Sequence, residues 1–311
     1  MGCLGMSTFI WFCGLVLSLL LCPLLPGLVG KLKGIFVGCP GPSVWQPYYD
    51  MLKLLRKGSV YSQTTTWVLP LAPLVTLAAL LCAMLFLPFA FVDSPLAFEG
   101  DVIVFFYFLA LGRVLGVLAA LDTGSSFAGM GASREMQFSS LAELGMFCIL
   151  AFLLRLSGRF SMSGLLNAAD SSMWSYSGTA LFLVAIAFFI LLLAENCRVP
   201  FDDPDTHLEL TMIHEAMVLD YGGPDLGIIH YAAALKLWLF TSICSLMIVP
   251  AGLLSGFGGL LVFVLAQFLL GGLLALVEAV SARFRFLKVP QFLLGVPGLA
   301  IIAIIMLLLF K

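Results

Sequence analysis

The chain has 311 residues, 62% of them hydrophobic and only 10% charged, with a formal net charge of −2. Soluble domains carry about 25% charged residues, and one buried core cannot absorb this much apolar surface, so the solvent for most of the chain is lipid. The slight negative charge gives no footing for nucleic acid. The eight cysteines, at 3, 13, 22, 39, 82, 148, 197 and 244, form no CxxC pair and read as small apolar fillers rather than a disulfide framework or a metal site.

A lipid crossing takes about 20 apolar residues. Apolar runs of that order lie at 7–28, 67–92, 102–121, 140–157, 174–194, 227–250, 256–279 and 290–310. They predict an all-α, polytopic integral membrane protein of about eight transmembrane helices, forming a single transmembrane domain over 1–311. The first run has no basic residues before it and no A-x-A site, which fits an uncleaved span. No internal repeat is visible, so an inverted-repeat transporter is not supported.

Four polar connections interrupt the runs, at about 29–66, 122–139, 195–226 and 280–289. In the first, "GPSVWQPYYDMLKLLRKGS" sets Tyr48, Met51, Leu52 and Leu55 against Lys53, Arg56 and Lys57. That predicts a short amphipathic interfacial helix anchored by Trp45, with Gln46 and Pro47 beside it. Span 3 carries Arg113 at its middle. The second connection, "DTGSSFAGMGASREM", is rich in Gly and Ser, so its backbone can lie close against another surface. It ends on Arg134 and Glu135 and lacks the G-K-[ST] of a phosphate loop.

Ser140 and Glu143 have capping-box spacing, so Glu143 either begins span 4 or pairs with a cation. Glu195 closes span 5. The third connection, 195–226, then concentrates charge. Pro200 and Pro204 stop the helix, Asp202, Asp203 and Asp205 follow, and Thr206 with Glu209 forms a second capping-box spacing. A helix over 206 to about 219 carries His207, Glu209, His214 and Glu215. Two histidines seven apart are candidate metal ligands, but no third ligand is spaced to help, so proton-exchanging or structural roles suit them better. Lys236 lies in span 6. Glu278 lies near the end of span 7, where Arg283 and Arg285 offer simple interfacial placement.

A charge inside a lipid span costs about 3 kcal/mol or more and normally finds a partner. Arg113 and Lys236 are the cations available to Glu143, Glu195, Glu209 and Glu215. Lys and Arg are also unevenly shared: ten in the four polar connections, three (Arg155, Arg159, Lys311) on the other side. The positive-inside rule then puts the polar connections in the cytoplasm and both termini outside. One elaborate face suggests a docking surface.

Three stretches, "WQPYYDMLKLLRK", "LDTGSSFAGMGASREM" and "AENCRVPFDDPDTHLELTMIHEAMVLDYGGPDL", resemble the membrane-anchor subunit family shared by respiratory complex I and group 4 membrane-bound nickel–iron (NiFe) hydrogenases. The run "PFDDPDTHLELTMIHE" is most like the formate hydrogenlyase and hydrogenase-4 branch. The core shared with complex I is E-x-x-R-x-P-F-D, here Glu195, Arg198, Pro200, Phe201 and Asp202.

The resemblance implies a membrane-anchor and energy-coupling subunit in a bacterial or archaeal cytoplasmic membrane. It implies three partners: a NiFe-hydrogenase-like large subunit, an iron–sulfur small subunit and an antiporter-like membrane subunit. The NiFe centre and iron–sulfur clusters would sit on those partners, with no cofactor on this chain. Glu143, Glu195, Asp202, Asp203, Glu209, His214 and Glu215 become proton-coupling candidates, with Arg113 and Lys236 as charge partners. Trp45, Gln46, Pro47, Arg134, Glu135, Arg198, Pro200, Phe201 and Pro204 become docking candidates. Alternatives are the quinone-chamber subunit of a complex I-like dehydrogenase, and a passive anchor.

Overall fold

The computed structural model describes residues 2–168, 171–202, 213–250, 256–285 and 288–309. Among them there are helices and no strand. Seven helices are long and apolar enough to cross a membrane, or eight crossings if one bent pair counts as a span.

That pair is α1 (Gly2–Leu21) and α2 (Leu24–Val37), which meet at 49°. Pro23 sits at the break, where its missing N–H and fixed φ cannot continue α1. The helical backbone therefore runs on to Val37, and the first connection is shorter than the apolar pattern suggests. Within it, α3 (Gln46–Leu55) has Pro47 in its first turn, a position that needs no N–H. It packs on α2 and on a later span.

Next come α4 (Val68–Met84), a 3₁₀ turn at Phe89–Phe91, α5 (Asp101–Asp122), α6 (Ser126–Ser157), the short α7 (Met162–Leu166) and α8 (Ser171–Glu195). The chain continues through α9 (His214–Val218), α10 (Gly223–Ile248), α11 (Phe257–Val280) and α12 (Val289–Leu309). α10 is the hub, with 78% of its span window buried against 28% for α12. Its Leu235, Trp238, Leu239 and Cys244 are fully enclosed. α4 pairs with α5, α11 with α2, and α12 with α6 and α8.

Two expectations change. The second connection is not a loop: α6 takes in Ser126–Ser139 and runs unbroken for 32 residues. At about 1.5 Å per residue it exceeds a hydrocarbon core about 30 Å thick. Ser140 Oγ donates to the Gln137 carbonyl within that helix, so Ser140 caps nothing and Glu143 lies near the helix middle. Gly and Ser cost a helix only about 0.5–1 kcal/mol each, and packing repays it here. A Cβ on Gly131 would stand 2.8 Å from the Ile213 carbonyl oxygen and 2.9 Å from Ala216 Cβ. The glycine lets α6 lie directly on α9.

The other change concerns the third connection. Its described helix is only His214–Val218. Asp203, Pro204, Asp205, Thr206, His207 and Glu209 lie outside the described residues.

Candidate functional site

Arg113, near the middle of α5, reaches two carboxylates. One guanidinium nitrogen donates to Glu143 Oε1 at 2.7 Å, and the other donates to both Glu195 oxygens at 2.9 and 2.8 Å. Lys236 on α10 stands 3.1 Å from Glu195 Oε2 and donates to the Glu195 carbonyl at 2.6 Å. Glu195 is thus held between two cations with 6% of its side chain exposed, while Glu143 keeps 50% exposed at the bundle surface. Glu135, two turns before Glu143 on α6, is a third carboxylate of the group, 3.9 Å from Cys197 Sγ. Three carboxylates therefore face two cations. Buried ions are tolerated only with good geometry and full hydrogen bonding, which Glu195 has.

A second ionic set lies just beyond α8. Arg198 Nη1 is 3.4 Å from Glu278 Oε1. Arg283 pairs with Asp202, whose other oxygen accepts the Ile213 N–H at 3.1 Å. Phe201 is buried against the rings of Phe284 and Phe292, at centroid distances of 6.4 and 5.7 Å. The Phe284 N–H donates to the Pro200 carbonyl. Every side chain of the E-x-x-R-x-P-F-D core except proline's thus has an assigned contact. Glu278 is a correction: it is buried and bound to Arg198 rather than resting at the interface beside Arg283 and Arg285. Burial on the inner face of α11 leaves it no route to water. Pro200 and Phe201 likewise face the chain's interior, so they pack the structure instead of presenting a docking surface.

The first set forms one wall of a cavity of about 460 Å³. Arg113, Glu135, Glu195 and Lys236 line that wall, and Pro47, Met51, Ala72 and Phe108 line an apolar side. His214, Glu215 and Cys197 close the end beside the third connection. Burial, helped by the positive charge of Lys236, pushes the His214 pKa down to about 4, so the imidazole is neutral at neutral pH. Burial also pushes the Cys197 thiol well up, and the nearby Glu135 charge adds to this, so it stays protonated.

The remaining candidates are dispersed. Trp45 is 57% exposed, the Gln46 side chain donates to Asp50 within α3, and Arg134 is half-buried on α6. Glu135, expected as a docking residue, belongs to the charged wall. Two links were not foreseen: Tyr61 donates to Asp225 Oδ2 at 2.6 Å, and Thr66 donates to both Asp122 oxygens. They tie the first connection to α10 and α5. Among the described residues no group of three or more His, Cys, Asp or Glu is placed to hold a metal ion.

A bundle of seven or eight candidate spans around a charge-walled cavity defines a multi-pass membrane protein with ion pairs buried inside it. The chain belongs to the NADH dehydrogenase family, whose model matches residues 10–310. It is 30% identical over 280 residues to hydrogenase-4 component C of Escherichia coli (strain K12), covering 88% of this chain and 87% of that one. It is 30% identical over 295 residues to formate hydrogenlyase subunit 4 of the same organism, covering 92% and 94%. Its fold matches a chain of the membrane-bound sulfane sulfur reductase, an archaeal respiratory membrane complex, with a TM-score of 0.82 at 22% identity over 96% and 99% of the two chains.

Proposed function

We propose that this chain is the membrane-anchor and energy-coupling subunit of a group 4 NiFe-hydrogenase-type complex, akin to formate hydrogenlyase and hydrogenase-4. The reading is supported by 30% identity to subunits of both E. coli systems over nearly the whole chain. The observation that carries the coupling role is the buried cluster in which Arg113 and Lys236 meet Glu195, with Arg113 also reaching Glu143, and in which Arg113, Glu135, Glu195 and Lys236 line a cavity. Such a group gains or loses a proton when nearby charge changes. A redox change in an arm docked over the third connection would act on Glu135 and Glu195 through a low-dielectric interior.

The chemistry itself is assigned to companions: a large subunit with the NiFe centre and a small subunit with iron–sulfur clusters. The half-exposed Glu143 supports a further neighbour within the membrane, in the manner of an antiporter-like subunit, because a carboxylate facing lipid from mid-span is costly. The excess of Lys and Arg in the polar connections supports a cytoplasmic position for them.

Gentle purification of the chain with its companions tests the class, and the expected result is a nickel-containing large subunit. Glu143→Gln tests the role: assembly and hydrogen turnover persist while coupled ion movement falls. Full ion movement in that variant would reduce the subunit to a passive anchor. A second reading, the quinone-chamber subunit of a complex I-like dehydrogenase, is favoured by the size and the apolar side of the cavity, which fall within the range of small-molecule sites. Labelling of the 195–226 region by a quinone photoprobe would select it.

A further inference from the structure

α10 is the most enclosed span, yet its surface is not closed everywhere. Apart from Ile248, its last residue, the exposed residues of α10 are His230 and Ala233, about one turn apart, and both line the cavity. Lys236, a further turn on, lines it too and holds Glu195. The open strip of the hub helix thus coincides with the cavity, and it carries an imidazole that the charged wall does not account for. From His230 to Lys236 is six residues, about 9 Å at helical rise.

The neighbours of His230 place it between the first connection and that wall. One turn before it, Gly227 lets α3 pack closely: a Cβ there would stand 3.3 Å from Leu54 Cβ and 3.7 Å from the Met51 carbonyl oxygen. Asp50, the residue before Met51, also lines the cavity and interacts electrostatically with His230. Asp50 is exposed, and its Oδ1 accepts from Gln46 at 2.9 Å. From α9, His214 interacts with His230, Lys236 and Asp202, and Glu215 lines the cavity beside it. The α4 side offers Ala72, Pro73, Thr76 and Leu80, none of which ionises. A line of ionisable groups therefore runs within one cavity, from an exposed carboxylate of the first connection, through His230, to Lys236 and Glu195. A cavity of this size with polar walls has ample room for water, and imidazole is the side chain suited to exchanging a proton near neutral pH.

We propose that His230 is the proton port of this cavity, taking protons from water beside Asp50 and passing them to the carboxylates of the charged wall. The imidazole binds a proton on one nitrogen and releases one from the other, so each passage returns it to the neutral ring and delivers one proton inward. Protons then enter from the first connection and leave laterally at Glu143. The port rests on the coupling role proposed above.

The test uses the intact complex, purified with its companions and reconstituted in vesicles. His230→Gln should keep redox turnover and lose most proton movement, and Asp50→Asn should lose part of it. Imidazole added to His230→Ala should restore proton movement, a rescue that a packing role does not give. Wild-type proton movement in His230→Gln overturns the port, and so does a loss in His230→Ala that imidazole leaves unchanged. Asp50 is exposed on α3, so if the His230 variants fail to assemble, Asp50→Asn decides: reduced movement upholds the port and wild-type movement overturns it. A wild-type complex that turns over but moves no protons removes the coupling role itself, and the port with it.

Discussion

The two ionic sets use the same chemistry for different ends. Around Arg198, Asp202, Glu278 and Arg283, two cations pair with two carboxylates among the described residues, beside an aromatic cluster of Phe201, Phe284 and Phe292. Around Arg113 and Lys236, carboxylates outnumber cations and one member, Glu143, is half-exposed; the cavity is lined by residues of both sets, including Arg198 and Asp202. A matched, enclosed pair has little use for a proton, because either protonation leaves an uncompensated charge. An unmatched group with a half-exposed member can accept one cheaply. The contrast teaches that pairing alone does not distinguish a strut from a relay; charge balance and access do.

The largest effect should come from breaking the matched set. Asp202→Ala strands Arg283 and the Ile213 N–H, and loss of one partner of a buried pair costs about 3–5 kcal/mol. Thermal unfolding of the purified complex should show it, with poor recovery of the subunit. Phe201→Ala should cost a similar amount by opening a cavity beside the Phe284 and Phe292 rings. A mild effect of either would mean the clamp is not structural.

Glu143→Gln sharpens the comparison from the other side. Its half-exposed ion pair is worth about 1 kcal/mol or less, so melting should barely move while coupled ion movement drops. Equal effects of Glu143→Gln and Asp202→Ala on stability would erase the distinction between the two sets.

The effect that is smallest near neutral pH, and grows on acidification, is pH-dependent. His214 has its pKa lowered from 6.5 to about 4 in the folded protein, so its neutral form is the one the fold prefers. The resulting stability is complete above about pH 6.5 and is lost as pH falls toward 4, by at most about 1.4 kcal/mol per pH unit. His214→Gln should flatten that slope in melting curves taken across this range, without changing stability near neutral pH.

The spans were legible because lipid demands long apolar helices, and the crossing count of seven or eight agrees with eight apolar runs. Arg113, Glu195 and Lys236 could be picked out as ionisable groups in spans that need partners. Partner choice was less legible. Glu278 has basic neighbours in sequence yet binds Arg198, eighty residues away, because helix packing rather than chain proximity sets its surroundings. Ser140 and Glu143 carried a capping signal in the middle of a helix, since local spacing cannot report that the turns before it are packed on α9.

One consequence follows from the length of α6. A continuous helix is stiff, so its two ends cannot shift independently. At one end Gly131 rests against the backbone of the third connection; farther along sit Glu135 and Glu143. A companion pressing on that connection would push a rod rather than a hinge, and both acids would travel with it. Mechanical displacement and electrostatic pull would then arrive at the same carboxylates together.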